Sequence, residues 1–308
     1  MSCEKLSQSM KKARFLRELP LHLMLIPAVI LVFIYNYIPM AGIAIAFQRF
    51  QATKGLFGSE FVGLANFRTL FSLPDTWQVI GNTIFIALFK MIGGIIAPVV
   101  FALVLNEINN KPARRIFQTM VYLPNFLSWI IISGIFIDIL SPTRGIINMI
   151  LGKVGIGPIF FLGDPAWFPF TMIITDIWKG FGFGSVIYLA ALTSIDPSLY
   201  ESAVIDGASR WRQTWHITVP GILSTIILMT VLSMANILNG GFDQIFNLYN
   251  PAVYSTGDVL DTMIYRMGIQ NAQFAVSTAA GLFKSAISFV FIVTSYYLAD
   301  KLAGYRIF

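Results

Sequence analysis

Five ionisable side chains interrupt the apolar runs of this sequence: Lys90, Asp138, Asp176, Lys179 and Lys284. Charge in an apolar environment is costly, so such residues pair, face water or line a path. Asp176 and Lys179 are three apart and share a helix face. They can neutralise each other as a structural pair, or line a water-filled route beside the flat rings of Trp178 and Phe183. Ser233, Asn236 and Asn239 add a hydroxyl and two amides to a later run; such groups bind helices together and also suit hydroxyl-rich solutes. Lys90 can equally pair inside a bundle, whereas Asp138 and Lys284 lie nearer run ends, where an interfacial place is expected. Bond-breaking chemistry has little to work with. The two histidines, His22 and His216, form no HExxH pair, and there is no GxSxG nucleophile turn. No GxxxxGK[ST] phosphate loop is present either, so the chain has no visible means of hydrolysing ATP. The single cysteine, Cys3, precludes an internal disulfide or a cysteine metal site.

The runs that must position these groups are long. Of 308 residues, 56% are hydrophobic and 12% charged, about half the charge fraction of a soluble domain. Six spans are expected, near Leu21–Phe47, Val79–Leu105, Ile116–Ile139, Trp167–Leu192, Gly221–Leu238 and Phe274–Leu298. Pro27 and Pro39 predict a kink or early end in the first, which is too long, and lacks the cleavage site, for a signal peptide. Pro124 interrupts the third, and Gly180, Gly182 and Gly184 permit close helix approach in the fourth. Gly63–Phe71 reads as a short interfacial helix, Leu140–Ala166 as a loop with one helical turn, and Asn239–Gln273 as a long loop with little helical periodicity. The fold class is an all-α polytopic membrane protein.

Charge orients it. Lys5, Lys11, Lys12, Arg14, Arg17, Lys111, Arg114, Arg115, Arg210, Arg212, Lys301 and Arg306 fall on the side of the N-terminus. Only Arg49, Lys54, Arg68, Arg144, Lys153 and Arg266 fall on the other side, in loops that are longer in total. Basic residues mark the cytoplasmic face, so both termini are expected inside, and the net charge of +6 is a topology signal, not a nucleic-acid one.

Between the fourth and fifth spans lies a polar island, Tyr200–Pro220, on the cytoplasmic side. Asp196-Pro197 supplies an N-cap and a first-turn proline. Gly207 offers the left-handed residue that ends one helix before the next begins. Leu199, Tyr200, Ala203 and Val204 share one face of the first piece, and Trp211 and Trp215 pair on the second. A bent helix pair outside the membrane needs something to dock against.

These residues also carry a resemblance. Glu201-Ser202-Ala203, Asp206-Gly207-Ala208, Ile217 and Pro220 resemble the E-A-A…D-G-A…I-x-L-P signature of ABC importer permease subunits, with Ser202 and Val219 as mild departures. GLANF (Gly63–Phe67), Asn82-Thr83, YLPNFLSW (Tyr122–Trp129) and Phe242–Gly268 are similar to the maltose-transporter-like, binding-protein-dependent sugar permeases, above all their complex-oligosaccharide members. The resemblance implies a six-helix permease domain over residues 21–298 of a bacterial cytoplasmic membrane protein. Residues 1–20 and 299–308 would be cytoplasmic ends, and residues 196–220 a coupling segment. Glu201, Ser202, Ala203, Asp206, Gly207, Ala208 and Pro220 would then meet a cytoplasmic ATPase subunit. It further implies a substrate path at Asp176, Lys179, Gly180, Phe183, Ser233, Asn236 and Gly240; a Lys179 free of Asp176 would suit acidic sugars. No cofactor is expected in this chain, since ATP and magnesium would be bound by two partner ATPase subunits. A second permease, making a heterodimer, and an extracellular solute-binding protein complete the expected assembly. The rivals are an ion-gradient-driven secondary sugar carrier, which calls for more acidic residues along the spans, and a membrane scaffold, which has no purpose for buried polar groups.

Overall fold

The computed structural model describes residues 3–108, 110–234 and 237–303. In chain order, α1 (Cys3–Val32) is followed by β1 (Gln48–Arg49), α2 (Gly55–Gly58), β2 (Glu60–Phe61), α3 (Ala65–Ser72) and α4 (Thr76–Asn106). Next come α5 (Lys111–Phe126), α6 (Trp129–Ile139), α7 (Ile146–Lys153), α8 (Phe168–Leu192), α9 (Pro197–Ile205), α10 (Arg210–Gln213) and α11 (Val219–Met234). The chain closes with α12 (Phe242–Leu248), α13 (Tyr254–Gly257), α14 (Leu260–Tyr265) and α15 (Phe274–Ala303). The fold is all-α; β1 and β2 form only a two-residue antiparallel pair, with Gln48 opposite Phe61. Among the described residues, four helical stretches are long and apolar enough to cross a membrane: Glu18–Phe47, Thr76–Asn106, Arg210–Met234 and Phe274–Leu298. Each of the six expected segments contains helix among the described residues; in the fifth it ends at Met234.

Three of them depart from the simple expectation. The first stays helical through Pro27, then changes register in a π-turn at Phe33–Tyr37 and a tight three-residue-per-turn stretch at Ile38–Phe47. Pro39 has no N–H for the preceding turn, and the ladder re-forms around it. The third segment is not one span with a kink. It breaks after α5 and turns by 105° into α6, because Leu127 and Ser128 are extended and Ser128 starts a new helix by capping the Ile131 amide at 3.4 Å. The fifth begins earlier than expected. Helix runs on from Arg210 through a π-turn at Thr214–Thr218 into α11, so the second half of the polar island is the first turns of the span itself. Pro220 therefore lies inside a continuous helix, just after the π-turn, where the wider register accommodates its ring and missing N–H.

The largest correction concerns residues 239–273, which are folded rather than a loop. This segment enters the bundle: α12 supplies Ile245 and Leu248, and the turns just before α13 and α14 supply Val253 and Val259, to a core shared with Ile86, Phe168 and Met172. Its sequence hides this because each helix lasts only one or two turns, too short for periodicity to show. Side chains from the second span hold the segment: Asn82 Nδ2 donates to the Ser255 and Asp258 carbonyls at 3.1 and 3.2 Å, and Leu260 N donates to Thr83 Oγ1 at 2.9 Å. The short helix expected within Gly63–Phe71 is present as α3. Asn66 there donates to the Ala46 and Gln48 carbonyls, both at 2.9 Å, tying α3 to the end of the first segment.

α4 and α8 pack lengthwise as the central pair, with α5 crossing α8. Gly182 makes that crossing possible: a Cβ there would sit 2.3 Å from the Val121 carbonyl oxygen, whereas a Cβ at Gly180 would meet nothing within 4 Å. Overpacking a contact of this kind costs about 1–3 kcal/mol. Gly182→Ala is therefore expected to lower the thermal unfolding midpoint of the purified protein, and Gly180→Ala to leave it near wild type. Equal midpoints would remove Gly182 from the contact.

Candidate functional site

The site is built around one lysine. Lys90 lies on α4, and its side chain is 8% exposed. Its ammonium donates to the Gly240 carbonyl at 3.0 Å and to Gln244 Oε1, and stands 3.7 Å from Asp176 Oδ1. Gln244, fully buried on α12, passes the network on: its Nε2 donates to the Met172 carbonyl at 2.8 Å and to Thr175 Oγ1 at 2.7 Å. One ammonium thus joins α4, α8 and α12 at the place where the fifth span gives out. The backbone closes round it. Gly241 has φ +82°, and a Cβ on it would lie 2.7 Å from Lys90 Nζ. Only glycine allows that turn beside the lysine.

Next to this hub opens a cavity of about 280 Å³ whose lining includes Lys90, Asp176, Ser233, Asn239 and Gly241. Two of the expected path residues, Asp176 and Ser233, therefore share one cavity, and the adjacent Gly240 gives its carbonyl to Lys90. Ser233 spends its proton on the Met229 carbonyl at 2.7 Å, leaving its oxygen as an acceptor. Asn236 lies outside the described residues. Lys179 and Phe183 go elsewhere. Lys179 does not pair with Asp176; it donates to the Asn125 carbonyl at 3.2 Å and sits 5.3 Å from the centre of the Trp129 ring. Phe183 packs edge-on against Phe126, their centroids 5.8 Å apart. Both residues brace the break between α5 and α6. The reason is competition: Asp176 has a buried cation from α4 within reach, and Lys179 has a helix-end carbonyl that needs a donor. Lys284, expected at the interface, is mostly buried and pairs with Asp261 of α14, while Asp138 is exposed near the end of α6. Sequence reading singled out Lys90 as an intramembrane charge; Gln244 escaped it because residues 239–273 carry no readable period.

The hinge on the opposite side of α8 is equally well defined. Asp196 Oδ1 accepts from the Ser198 amide at 2.9 Å, and this bond, followed by one from the Ser198 side chain, holds its carboxyl below the usual range. A lowered carboxyl stays ionised at neutral pH, and the cap is lost only as pH falls through that lowered value. At the other end of α9, Ala208 N donates to the Ala203 carbonyl at 2.8 Å and Gly207 N to the Val204 carbonyl at 3.0 Å, with Gly207 at φ +72°. That pair of bonds is a Schellman turn, which satisfies the last carbonyls of α9. Ser209 then caps α10, Gln213 Nε2 returns to the Ala208 carbonyl at 2.9 Å, and the Tyr200 and Thr218 hydroxyls meet at 3.0 Å. α9 is thereby bonded to the base of the fifth span. Its open side carries Leu199, Glu201, Val204 and Ile205, the last of these 86% exposed; Tyr200 and Ala203, expected on the same face, are partly covered. Trp211 and Trp215 pair edge-on at 5.7 Å, both exposed.

Residues 91–304, from the second span through the hinge to the last helix, match the profile of the binding-protein-dependent transport system inner membrane component family. The chain belongs to that family. As a permease of this family it is a multi-pass membrane protein, and several relatives match it along nearly the whole length. Protein LplB of Bacillus subtilis is 38% identical over 285 residues, 92% of this chain and 90% of the relative. The polygalacturonan/rhamnogalacturonan transport system permease protein YteP of the same organism is 36% identical over 288 residues, covering 94% and 90%. The crystal structure of a bacterial ABC transporter involved in the import of the acidic polysaccharide alginate contains a chain that superposes with a TM-score of 0.87 at 36% identity. That match covers 95% of the permease and 99% of the alginate chain. A bacterial alginate ABC transporter in complex with an alginate pentasaccharide-bound periplasmic protein gives the same TM-score of 0.87.

Removing the ammonium from the permease strands the Gly240 carbonyl and Gln244, and a buried polar group without its partner costs about 1–3 kcal/mol. Lys90→Met is expected to destabilise the protein by about 2 kcal/mol in denaturant unfolding. Asp176→Asn in that background should cost less than it does alone, because its carboxylate has already lost its partner. Strictly additive effects would show that the two side chains do not interact.

Proposed function

We propose that this permease is the transmembrane subunit of an ATP-driven importer that moves oligosaccharides handed over by an extracellular solute-binding protein. It works with a second permease, most simply as a heterodimer, and with two cytoplasmic subunits that bind ATP and magnesium. Both termini lie in the cytoplasm. The observation that carries the reading is the hinge at residues 196–220. Its glycine turn, caps and Tyr200–Thr218 bond make a rigid lever joined at either end to α8 and α11, the helices that contribute Asp176 and Ser233 to the cavity.

The sugar class is supported by the similar proteins, which include a polygalacturonan/rhamnogalacturonan permease and an alginate importer. It also suits the site, where hydroxyl, amide and carboxylate groups converge in a cavity of small-ligand kind. Lys179 is spent on the Asn125 carbonyl and the Trp129 ring, so it is not assigned a charged sugar contact. On the cytoplasmic side, Glu201, Ser202, Ala203, Asp206, Gly207 and Ala208 face the ATPase, with small residues allowing close approach; Pro220 sits where the lever enters the fifth span. Closure of the ATPase pair pushes α9, and the lever turns that push into a tilt of α8 and α11. The cavity between them then opens to one side of the membrane or the other, so ATP binding shifts a conformational equilibrium instead of doing chemistry in this chain.

Uptake into proteoliposomes holding the whole complex tests this. Transport should require ATP on the side of the ATPase subunits and persist when ionophores collapse every ion gradient. Gly207→Pro, which a left-handed backbone cannot accept, should cut ATP-driven uptake about tenfold or more while the subunits still co-purify. Gradient-driven uptake without ATP would sink the reading in favour of a secondary carrier, and full uptake by Gly207→Pro would sink the lever.

A further inference from the structure

A second cavity, of about 390 Å³, lies between the fifth-span break, α14 and the start of α15. Phe242, Tyr265 and Phe274 give it aromatic walls, Ile269 stands at its edge, and Asn239 and Asp261 supply its polar groups. Asp261 is already engaged through one oxygen, which accepts from Lys284; its other oxygen, Oδ2, is buried with no hydrogen-bond partner. Lys284 also reaches Asn239 Oδ1 at 3.4 Å, so this edge offers a cation and an anion that cancel each other. Asn239 lines the Lys90–Asp176 cavity as well. The two cavities are thus neighbours across a single side chain.

We propose that the second cavity is a saccharide subsite, and that with the first it holds two consecutive units of an oligosaccharide, with Asn239 between them. The inference rests on the oligosaccharide reading above and deepens it. Aromatic walls with a few convergent polar groups are what a sugar ring needs: its C–H face lies on the rings while its hydroxyls exchange hydrogen bonds with the rim. A hydroxyl donating to Asp261 Oδ2 would satisfy a buried acceptor that the protein leaves unmet beside this cavity, as buried polar groups require. The neutral Asp261–Lys284 edge presents both a donor and an acceptor, so this subsite reads hydroxyl pattern and ring face without demanding a charge. The minimum substrate that fills both cavities is a disaccharide.

Equilibrium titration of the purified complex, with the solute-binding protein omitted, tests the inference. The probes are two ladders of one to four units, galacturonides and malto-oligosaccharides. In wild type, Kd should drop about tenfold between one and two units of the ladder that binds. Ile269→Trp, a change at an exposed position, fills the second cavity and should abolish that drop, as should Tyr265→Ala, whereas Tyr265→Phe keeps the ring and should retain it. An undiminished drop in Ile269→Trp and Tyr265→Ala overturns the subsite. Loss of the second permease subunit from Ile269→Trp in size-exclusion chromatography also overturns it, by making the cavity a seat for protein. Absence of binding by wild type on both ladders contradicts the oligosaccharide reading itself, a result distinct from failure of the subsite alone.

Discussion

Lipid offers no hydrogen bonds, and this chain interrupts its helices inside the bundle, after α11 and after α5 among other places. Every carbonyl exposed by such a break needs a donor from the protein. Lysine side chains supply them. Lys90 answers the Gly240 carbonyl at the end of the fifth span, and Lys179 answers the Asn125 carbonyl where the third segment turns by 105°. Lys284 binds Asp261 and Asn239 beside the first of these breaks. Broken helices at membrane depth are also where backbone and polar side chains can face a solute. The charges that make the interruptions tolerable are therefore inseparable from the cavities those interruptions create.

The same economy links the two ends of the molecule. The cavity walls α8 and α11 are continuous with the hinge, where a glycine turn and a glutamine side chain satisfy carbonyls and a serine cap satisfies an amide. The lever's open face carries Leu199, Glu201, Val204 and Ile205, and Trp211 and Trp215 are exposed beyond the glycine turn. Small residues elsewhere serve approach: Gly182 brings α5 onto α8, and Gly241 brings the backbone onto an ammonium.

What could be read from sequence followed the strength of the local signal. Long apolar runs located all six segments, and Asp196-Pro197 with Gly207 located both ends of α9, because caps and left-handed glycines act within a few residues. The partners of the buried charges could not be read. Asp176 and Lys179 satisfy every local rule for an i,i+3 pair, yet each finds a better partner more than fifty positions away in sequence, at Lys90 and Asn125. Residues 239–273 failed for a different reason. Helices of four to seven residues give no period to count, and their burial depends on Asn82, Thr83 and Lys90 from another span. The motifs GLANF, Asn82-Thr83 and YLPNFLSW were legible only as likeness; the structure gives them work, with Asn66 and Asn82 as donors to carbonyls, Thr83 as acceptor from the first amide of α14, and YLPNFLSW as the break itself.

The central physical claim is that the Lys90 ammonium holds the broken end of the fifth span in place. Hydrogen exchange over residues 237–249, compared between wild type and Lys90→Met in the same detergent, measures that directly. Slow exchange in wild type and markedly faster exchange in Lys90→Met over this stretch, with α3 unchanged, is the predicted result. Equal protection of residues 237–249 in the two proteins would contradict it.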